Sequence, residues 1–265
     1  MHHCSIVPLL VTALNNRARH SRRITGLHVV GRGRNIISSS KDGTVKLWDC
    51  GTAACIGELY NGSAVNGCAV IDADTGGGGT GGTVTAAAAM HEAEVGTEGK
   101  LLLLALDNGA VSVVDVRTRA STLDCIGGGG GAGGSGAAAT CCAWTSAQDV
   151  VAGSADGAAS AWDLRNPSTP IVKHWKHEAP VTTVAPIHDA DAAAVAAAAA
   201  PVAFLVGHDD GIVTRWESAR EGEGAGASEQ TELTGLNCEA PLYIAHHGPN
   251  QSPVVAGADG VIRYY

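Results

Sequence analysis

Apolar and polar positions alternate over short distances along this chain, and the clearest instance lies at residues 35–49. Ile36 and Ile37 open an apolar run, Asp42-Gly43 interrupts it, and Val45 and Leu47 alternate with Thr44 and Lys46 on the way to Trp48-Asp49. An Asp-Gly pair between two such runs predicts a β-hairpin, because glycine takes a positive φ without steric cost. The frame returns four more times. Asn108-Gly109 leads to Val114-Asp115, Asp156-Gly157 to Trp162-Asp163, Asp210-Gly211 to Trp216-Glu217, and Asp259-Gly260 to Tyr265. Successive turn glycines lie 66, 48, 54 and 49 residues apart. Short strands repeating at about that interval, lengthened by insertions, predict an all-β chain built as a propeller of four-stranded blades, five of them recognisable.

The remaining strands follow from the same alternation. Ile24–Val30 precedes the first hairpin, and Ile56–Leu59, Val65–Ile71 and Leu101–Leu106 surround the second unit. Leu123–Ile126, Ala139–Trp144 and Val150–Gly153 belong to the third, Ile171–Trp175, Val181–Ile187 and Val202–Gly207 to the fourth, and Thr231–Thr234, Leu242–His246 and Val254–Ala256 to the fifth. Residues 1–18 fit no repeat, although Leu9–Leu14 is a candidate outer strand, so the repeat domain is placed at 19–265. The fifth unit ends on its third strand. Either residues 9–14 supply the fourth, or the chain is an incomplete copy of a seven-bladed ring.

Low-complexity insertions are expected at 72–100, 127–137, 188–200 and 217–230, where glycine, alanine or glutamate dominate and little apolar surface is available to offset ordering entropy. The glycine tracts Gly76–Gly79 and Gly127–Gly131 are not phosphate loops, since no Gly-Lys-Ser/Thr and no helix pattern follows them. His188-Asp189-Ala190-Asp191 and His208-Asp209-Asp210 have metal-ligand residue types, but neither has a third ligand fixed by spacing. No metal and no cofactor is expected.

Composition changes the picture in three places. Eight cysteines at irregular spacing, several inside strands, read as buried free thiols of a reducing compartment rather than as a disulfide frame. The absence of an apolar run near 18 residues and of a basic segment ahead of Ile6–Leu14 points away from membrane insertion and secretion, so a cytoplasmic location, also nuclear, is expected. The net charge of −9 divides into +6 over residues 1–50 and −15 beyond. The basic cluster, which includes Arg22 and Arg23, lacks interleaved aromatics and belongs to an acidic domain, which favours a protein contact or solvated face over nucleic acid.

The hairpin that ends in Trp48-Asp49 resembles the WD repeat. In that pattern a His, a strand Ser, the turn Asp and the strand Trp form one hydrogen-bonded set, which the resemblance places at His20, Ser38, Asp42 and Trp48. Ser, His and Asp together also suggest a hydrolase triad, but no Gly-x-Ser-x-Gly elbow surrounds Ser38 and the turn explains Asp42, so no catalytic residue is expected. Ala152 stands where Ser38 stands, so the third unit lacks the full set.

In and between the repeats, Gly31-Arg32-Gly33-Arg34-Asn35-Ile36-Ile37-Ser38 through Leu47-Trp48-Asp49-Cys50-Gly51, then Ala54-Cys55-Ile56-Gly57, Glu94-Val95-Gly96-Thr97-Glu98, Cys141-Cys142, Ala179-Pro180-Val181 and Thr231-Glu232-Leu233-Thr234-Gly235 resemble the proteasomal ATPase-associated factor family. The segments occur in that family's order. Departures are the glycine and alanine insertions and the unmatched first 18 residues. The resemblance implies a non-catalytic chaperone of the proteasome regulatory particle that binds the C-terminal domain of an ATPase subunit and is a monomer outside that complex. Asp209, Arg22, Arg23 and Lys41 are the candidate contact residues, because each sits in a loop on the turn side and none is needed by the repeat frame. A rival function is a substrate receptor of a cullin-RING ubiquitin ligase, carried by Asp156 and the box Trp162-Asp163-Leu164-Arg165.

Overall fold

The computed structural model describes residues 19–30, 34–71, 77–78, 82–83, 101–115, 120–125, 137–145, 149–168, 170–175, 178–187, 202–218, 229–233, 240–247 and 252–265. These fold into antiparallel sheets. The first contains β1 (Ile24–Val30), β2 (Asn35–Ser40), β3 (Thr44–Asp49) and β4 (Ala54–Asn61) in that order. The second joins β5 (Val65–Ile71) to β8 (Leu101–Leu106), β9 (Val111–Asp115) and β10 (Ala120–Cys125). A two-stranded glycine ribbon, β6 (Gly77–Gly78) with β7 (Gly82–Thr83), lies within the connection from β5 to β8.

The third sheet is β11 (Ala139–Trp144), β12 (Asp149–Ser154), β13 (Ala158–Asp163) and β14 (Val172–Trp175). The fourth is β15 (Val181–Pro186), β16 (Val202–His208), β17 (Val213–Ser218) and β18 (Glu229–Leu233). The fifth has three strands among the described residues, β19 (Pro241–His247), β20 (Ser252–Gly257) and β21 (Ile262–Tyr264). This is the all-β, WD-repeat propeller type of architecture. The expected insertion at 217–230 is shorter at both ends, because Glu217 pairs with Glu229 and Trp216 with Gln230 in the ladder between β17 and β18. Residues 1–18 and 188–200, together with most of 72–100 and 127–137, lie outside the described residues.

Each sheet is organised by the same turn. Gly43, Gly109, Gly157, Gly211 and Gly260 have φ of 83°, 82°, 86°, 86° and 76°, where a β-carbon is strained. At Gly43 a Cβ would also lie 2.2 Å from the carbonyl oxygen of Gly62, so both conformation and space demand glycine there. The residue before each glycine accepts a hydrogen bond through its side chain from the amide two positions on: Thr44 to Asp42, Ala110 to Asn108, Ala158 to Asp156, Ile212 to Asp210 and Val261 to Asp259. The carboxylate or amide thus satisfies a main-chain donor that the tight turn would otherwise leave unpaired.

The apolar core lies between successive sheets. Ile37 and Val45 of the first meet Val65, Cys68 and Leu102 of the second. Leu103 and Val113 meet Trp144 and Trp162, Val151 and Ala161 meet Phe204 and Trp216, and Leu205 and Val213 meet Ile244 and Val255. A middle sheet is therefore covered on both faces. This is why β8 is a continuous apolar run, Leu-Leu-Leu-Leu-Ala-Leu, whereas β3 alternates.

The innermost strands pack in series, β1 on β5, β5 on β11, β11 on β15 and β15 on β19. Each carries a register shift at its second residue: Thr25, Asn66, Thr140, Thr182 and Leu242. A bulge re-aims the side chain it displaces, and in four cases that side chain reaches the next sheet. Thr25 Oγ1 donates to the Val65 carbonyl (2.9 Å), Asn66 Nδ2 to that of Ala139 (2.7 Å), Thr140 Oγ1 to that of Val181 (2.6 Å), and Thr182 Oγ1 to that of Pro241 (2.6 Å). These are four equivalent latches, each pointing from one sheet to its successor.

Candidate functional site

His20 precedes β1 and reaches across the first sheet. Its Nδ1 lies 3.0 Å from Asp42 Oδ2 and its Nε2 lies 2.7 Å from Ser38 Oγ. Trp48 Nε1 donates to the same Ser38 oxygen at 2.8 Å, and the Trp48 ring meets the imidazole edge-on with centroids 6.5 Å apart. Thr44 Oγ1 donates to Asp42 at 2.6 Å and the amide of Ser21 donates at 2.8 Å. Ser38 and Trp48 share a face because Ile36 is opposite Trp48 in the ladder and Ser38 stands two residues along the same strand.

Burial alone would raise the Asp42 pKa. The hydrogen bonds from the Thr44 hydroxyl, the Ser21 and Thr44 amides and the imidazole outweigh it and hold the carboxyl well below the usual carboxylate range. A carboxylate so fully engaged, with its Ser oxygen shared between an indole and an imidazole, holds the chain entering β1 against the hairpin.

The four candidate contact residues lie on the turn side. Arg22 and Arg23 are exposed where the chain enters β1, with the carbonyl of Arg23 receiving the Lys41 amide at 2.9 Å. Lys41 Nζ stands 3.8 Å from Asp107 Oδ1, bridging the turn edges of the first two sheets. Asp209 is exposed at the fourth turn, its amide bonded to the Pro180 carbonyl at 2.9 Å. The structure therefore sets Arg22, Arg23 and Lys41 together on the first sheet and Asp209 on the fourth. Sequence reasoning missed Asp107, whose contact with Lys41 depends on how the two sheets pack.

The other box lies at the opposite edge. Trp162 is buried, while Asp163 ends β13 and holds Arg165 in a fork, with Nη2 2.6 Å from Oδ2 and Nε 2.9 Å from Oδ1. That fork raises the guanidinium pKa above its ordinary value. Asp156 accepts from Ser154 Oγ and from the Ala158 amide, so it serves its own turn. Trp162 Nε1 has no acceptor among the described residues, since Ala152 occupies the place of Ser38.

Cys50, Cys55, Cys68, Cys141 and Cys142 are in no disulfide. Burial pushes Cys68 up to about 12 and Cys141 up to about 11, which leaves both thiols protonated and unreactive at neutral pH. Among the described residues no group of three or more His, Cys, Asp or Glu side chains is placed to hold a metal ion. His208 is buried, with Nδ1 3.2 Å from the Ala179 carbonyl, and His188-Asp189-Ala190-Asp191 lies outside the described residues. Among the described residues no helix is long and apolar enough to cross a membrane.

Residues 12–49 match the family model described as WD domain, G-beta repeat. They include the whole His20–Trp48 network. The chain thus carries a WD repeat, a module that generally acts as a non-catalytic scaffold for protein interaction. A protein of Oryza sativa subsp. japonica, described as zinc finger CCCH domain-containing protein 17, is 34% identical over 62 residues. That match covers 23% of this chain and 14% of the rice protein's length, so it compares one segment of each.

Proposed function

We propose that this WD-repeat chain binds the C-terminal domain of an ATPase subunit of the proteasome regulatory particle and restrains its premature assembly. The reading rests on the segments from Gly31 to Gly235 that resemble the proteasomal ATPase-associated factors and follow that family's order. The supporting structural observation is the turn edge, where Arg22 and Arg23, at the entry to β1, and Asp209, in the fourth turn, are exposed without serving the His20 network. Rigid strands carrying short exposed loops suit partner recognition. Charges so placed act chiefly on association rate.

The test is binding of the chain to immobilised C-terminal domains of the regulatory-particle ATPases. Asp209→Lys is expected to slow association and flatten its salt dependence, with Arg165→Glu at the opposite edge close to unchanged. Loss of binding in Arg165→Glu with none in Asp209→Lys would put the partner on the wrong face. No binding by the unaltered chain would end the reading. One observation favours a second reading, as a cullin-RING substrate receptor: Arg165 remains exposed at the end of β13, oriented by Asp163. Recovery of a ligase adaptor, lost in Arg165→Glu, would decide for it.

A further inference from the structure

One position of the innermost strands differs in the first sheet. Counting three residues on from each bulge reaches His28 in β1 and Ala69, Ala143, Ala185 and Ala245 in β5, β11, β15 and β19. The ladders place these residues alike: His28 lies opposite Ile37, Ala143 opposite Val151 and Ala185 opposite Leu205. Ala143 and Ala185 are buried in the cores toward the next sheet. Where a methyl group suffices at those seams, the first sheet places a partly buried imidazole. Its Nε2 lies 2.8 Å from the Cys68 carbonyl oxygen of β5. A carbonyl can only accept, so Nε2 carries the hydrogen, and in the neutral ring Nδ1 is the unprotonated nitrogen. With Thr25 Oγ1 on the Val65 carbonyl, the seam between the first two sheets has two latches, three residues apart on both strands.

We infer that His28 is an acid-released latch, closing the seam between the first and second sheets at neutral pH and loosening it in mild acid. Among the described residues β1 packs on β2 and β5. Neither strand contains an Asp, Glu, Lys, Arg or second His, and burial pushes their one titratable side chain, Cys68, up to about 12 and so keeps it neutral. His20 and Asp42 engage Ser38, which lies opposite Leu27 on the other face of the first sheet. No carboxylate from these elements therefore meets a charge formed at His28. Burial lowers the His28 pKa from 6.5, and the hydrogen bond to the Cys68 carbonyl, which favours the cation, does not offset it. An open seam exposes the imidazole and returns it to its ordinary value. The latch accordingly contributes its full stability above about pH 6.5, and the contribution is lost as pH falls through the lowered value of the closed seam. This range lies above that of Asp42, whose carboxyl is held below 3.8. The turn edge straddles the same seam, with Lys41 Nζ 3.8 Å from Asp107 Oδ1, so opening it respaces the charges there whichever partner they meet.

The experiment compares alkylation of Cys68 with that of Cys141 in the full chain, using N-ethylmaleimide at neutral and mildly acidic pH and peptide mass spectrometry as the readout. Burial protects both thiols, Cys68 at the first seam and Cys141 toward the fourth sheet, so each reacts when its own seam opens. Their ratio cancels the pH dependence of the reagent. Between about pH 7.5 and 5.5 the ratio of Cys68 to Cys141 adduct is expected to rise by up to about tenfold, the effect of a proton bound one pH unit below 6.5. His28→Gln keeps a donor that does not titrate, and His28→Ala supplies the residue of the other four sheets. In both variants the ratio is expected not to change with pH. A constant ratio in the unaltered chain overturns the proposal, since acid then loosens both seams alike or neither. So does a rise that persists in His28→Gln, because another group would then be the one titrating.

Discussion

Replacing Ala152 with serine is expected to stabilise the protein. In the first sheet Trp48 Nε1 donates to Ser38 Oγ at 2.8 Å, with Trp48 opposite Ile36 in the ladder. In the third sheet Trp162 is opposite Val150, and Ala152 stands two residues along, in the place of Ser38. Trp162 is 2% exposed and its indole N–H has no acceptor among the described residues, a condition that costs about 1–3 kcal/mol. A serine hydroxyl supplies the acceptor but must itself be desolvated. The net gain is about 1 kcal/mol, or roughly 2–4 °C in melting temperature for a chain of this size. Urea unfolding should show a higher midpoint at unchanged slope. The decisive control is Trp162→Phe, which removes the N–H: in that background Ala152→Ser should bring no gain. An equal gain in the Trp162→Phe background would refute the reasoning, because the hydroxyl would then be acting elsewhere.

Ser38→Ala should destabilise by about 1–3 kcal/mol in the same assay, since it leaves the Trp48 N–H and the His20 Nε2 without their common partner. The Asp42 carboxyl is held below its unfolded value of 3.8, so the stability it contributes is present above about pH 4 and is lost as pH falls below that value. Asp42→Asn should flatten that acid limb of the stability curve, and an unchanged limb would assign it to other carboxylates. Thr140→Val keeps the shape of the side chain but removes the latch to the Val181 carbonyl and should cost about 1 kcal/mol, read as a lowered denaturation midpoint. Native Cys68 and Cys141 should resist alkylation at neutral pH and react only on unfolding, which mass spectrometry of trapped adducts would check.

The turns were the most legible part of the fold. An Asp-Gly or Asn-Gly pair encodes its own conformation locally, and each of the five glycines has the positive φ such a turn requires. Strand membership was less so. Ile56–Leu59 reads along the chain as the opening of the second unit, yet β4 pairs with β3 and completes the first sheet, because partnership depends on the path of the connection. The expected insertion at 217–230 was too long because Glu217 and Gln230 look like linker residues by composition. They take part in a ladder, Glu217 opposite Glu229 and Gln230 opposite Trp216. In the candidate site, Asp209, Arg22 and Arg23 were legible as loop charges, whereas the approach of Lys41 to Asp107 was not, since it is created by the packing of two sheets. The latches at Thr25, Asn66, Thr140 and Thr182 carried no sequence signal. Their function comes from a bulge, and a bulge is a property of two strands rather than of one.

The chemistry of those latches also bears on how such a chain can change over time. Each donor is a side chain, replaceable by a single substitution, while each acceptor is a main-chain carbonyl that any residue provides. A joint can therefore be strengthened or loosened from one side without a matching change on the other. The receiving half of the joint is written in no particular residue. Duplication of a unit would arrive with its socket already made, and drift at Thr25, Asn66, Thr140 or Thr182 would tune one seam at a time.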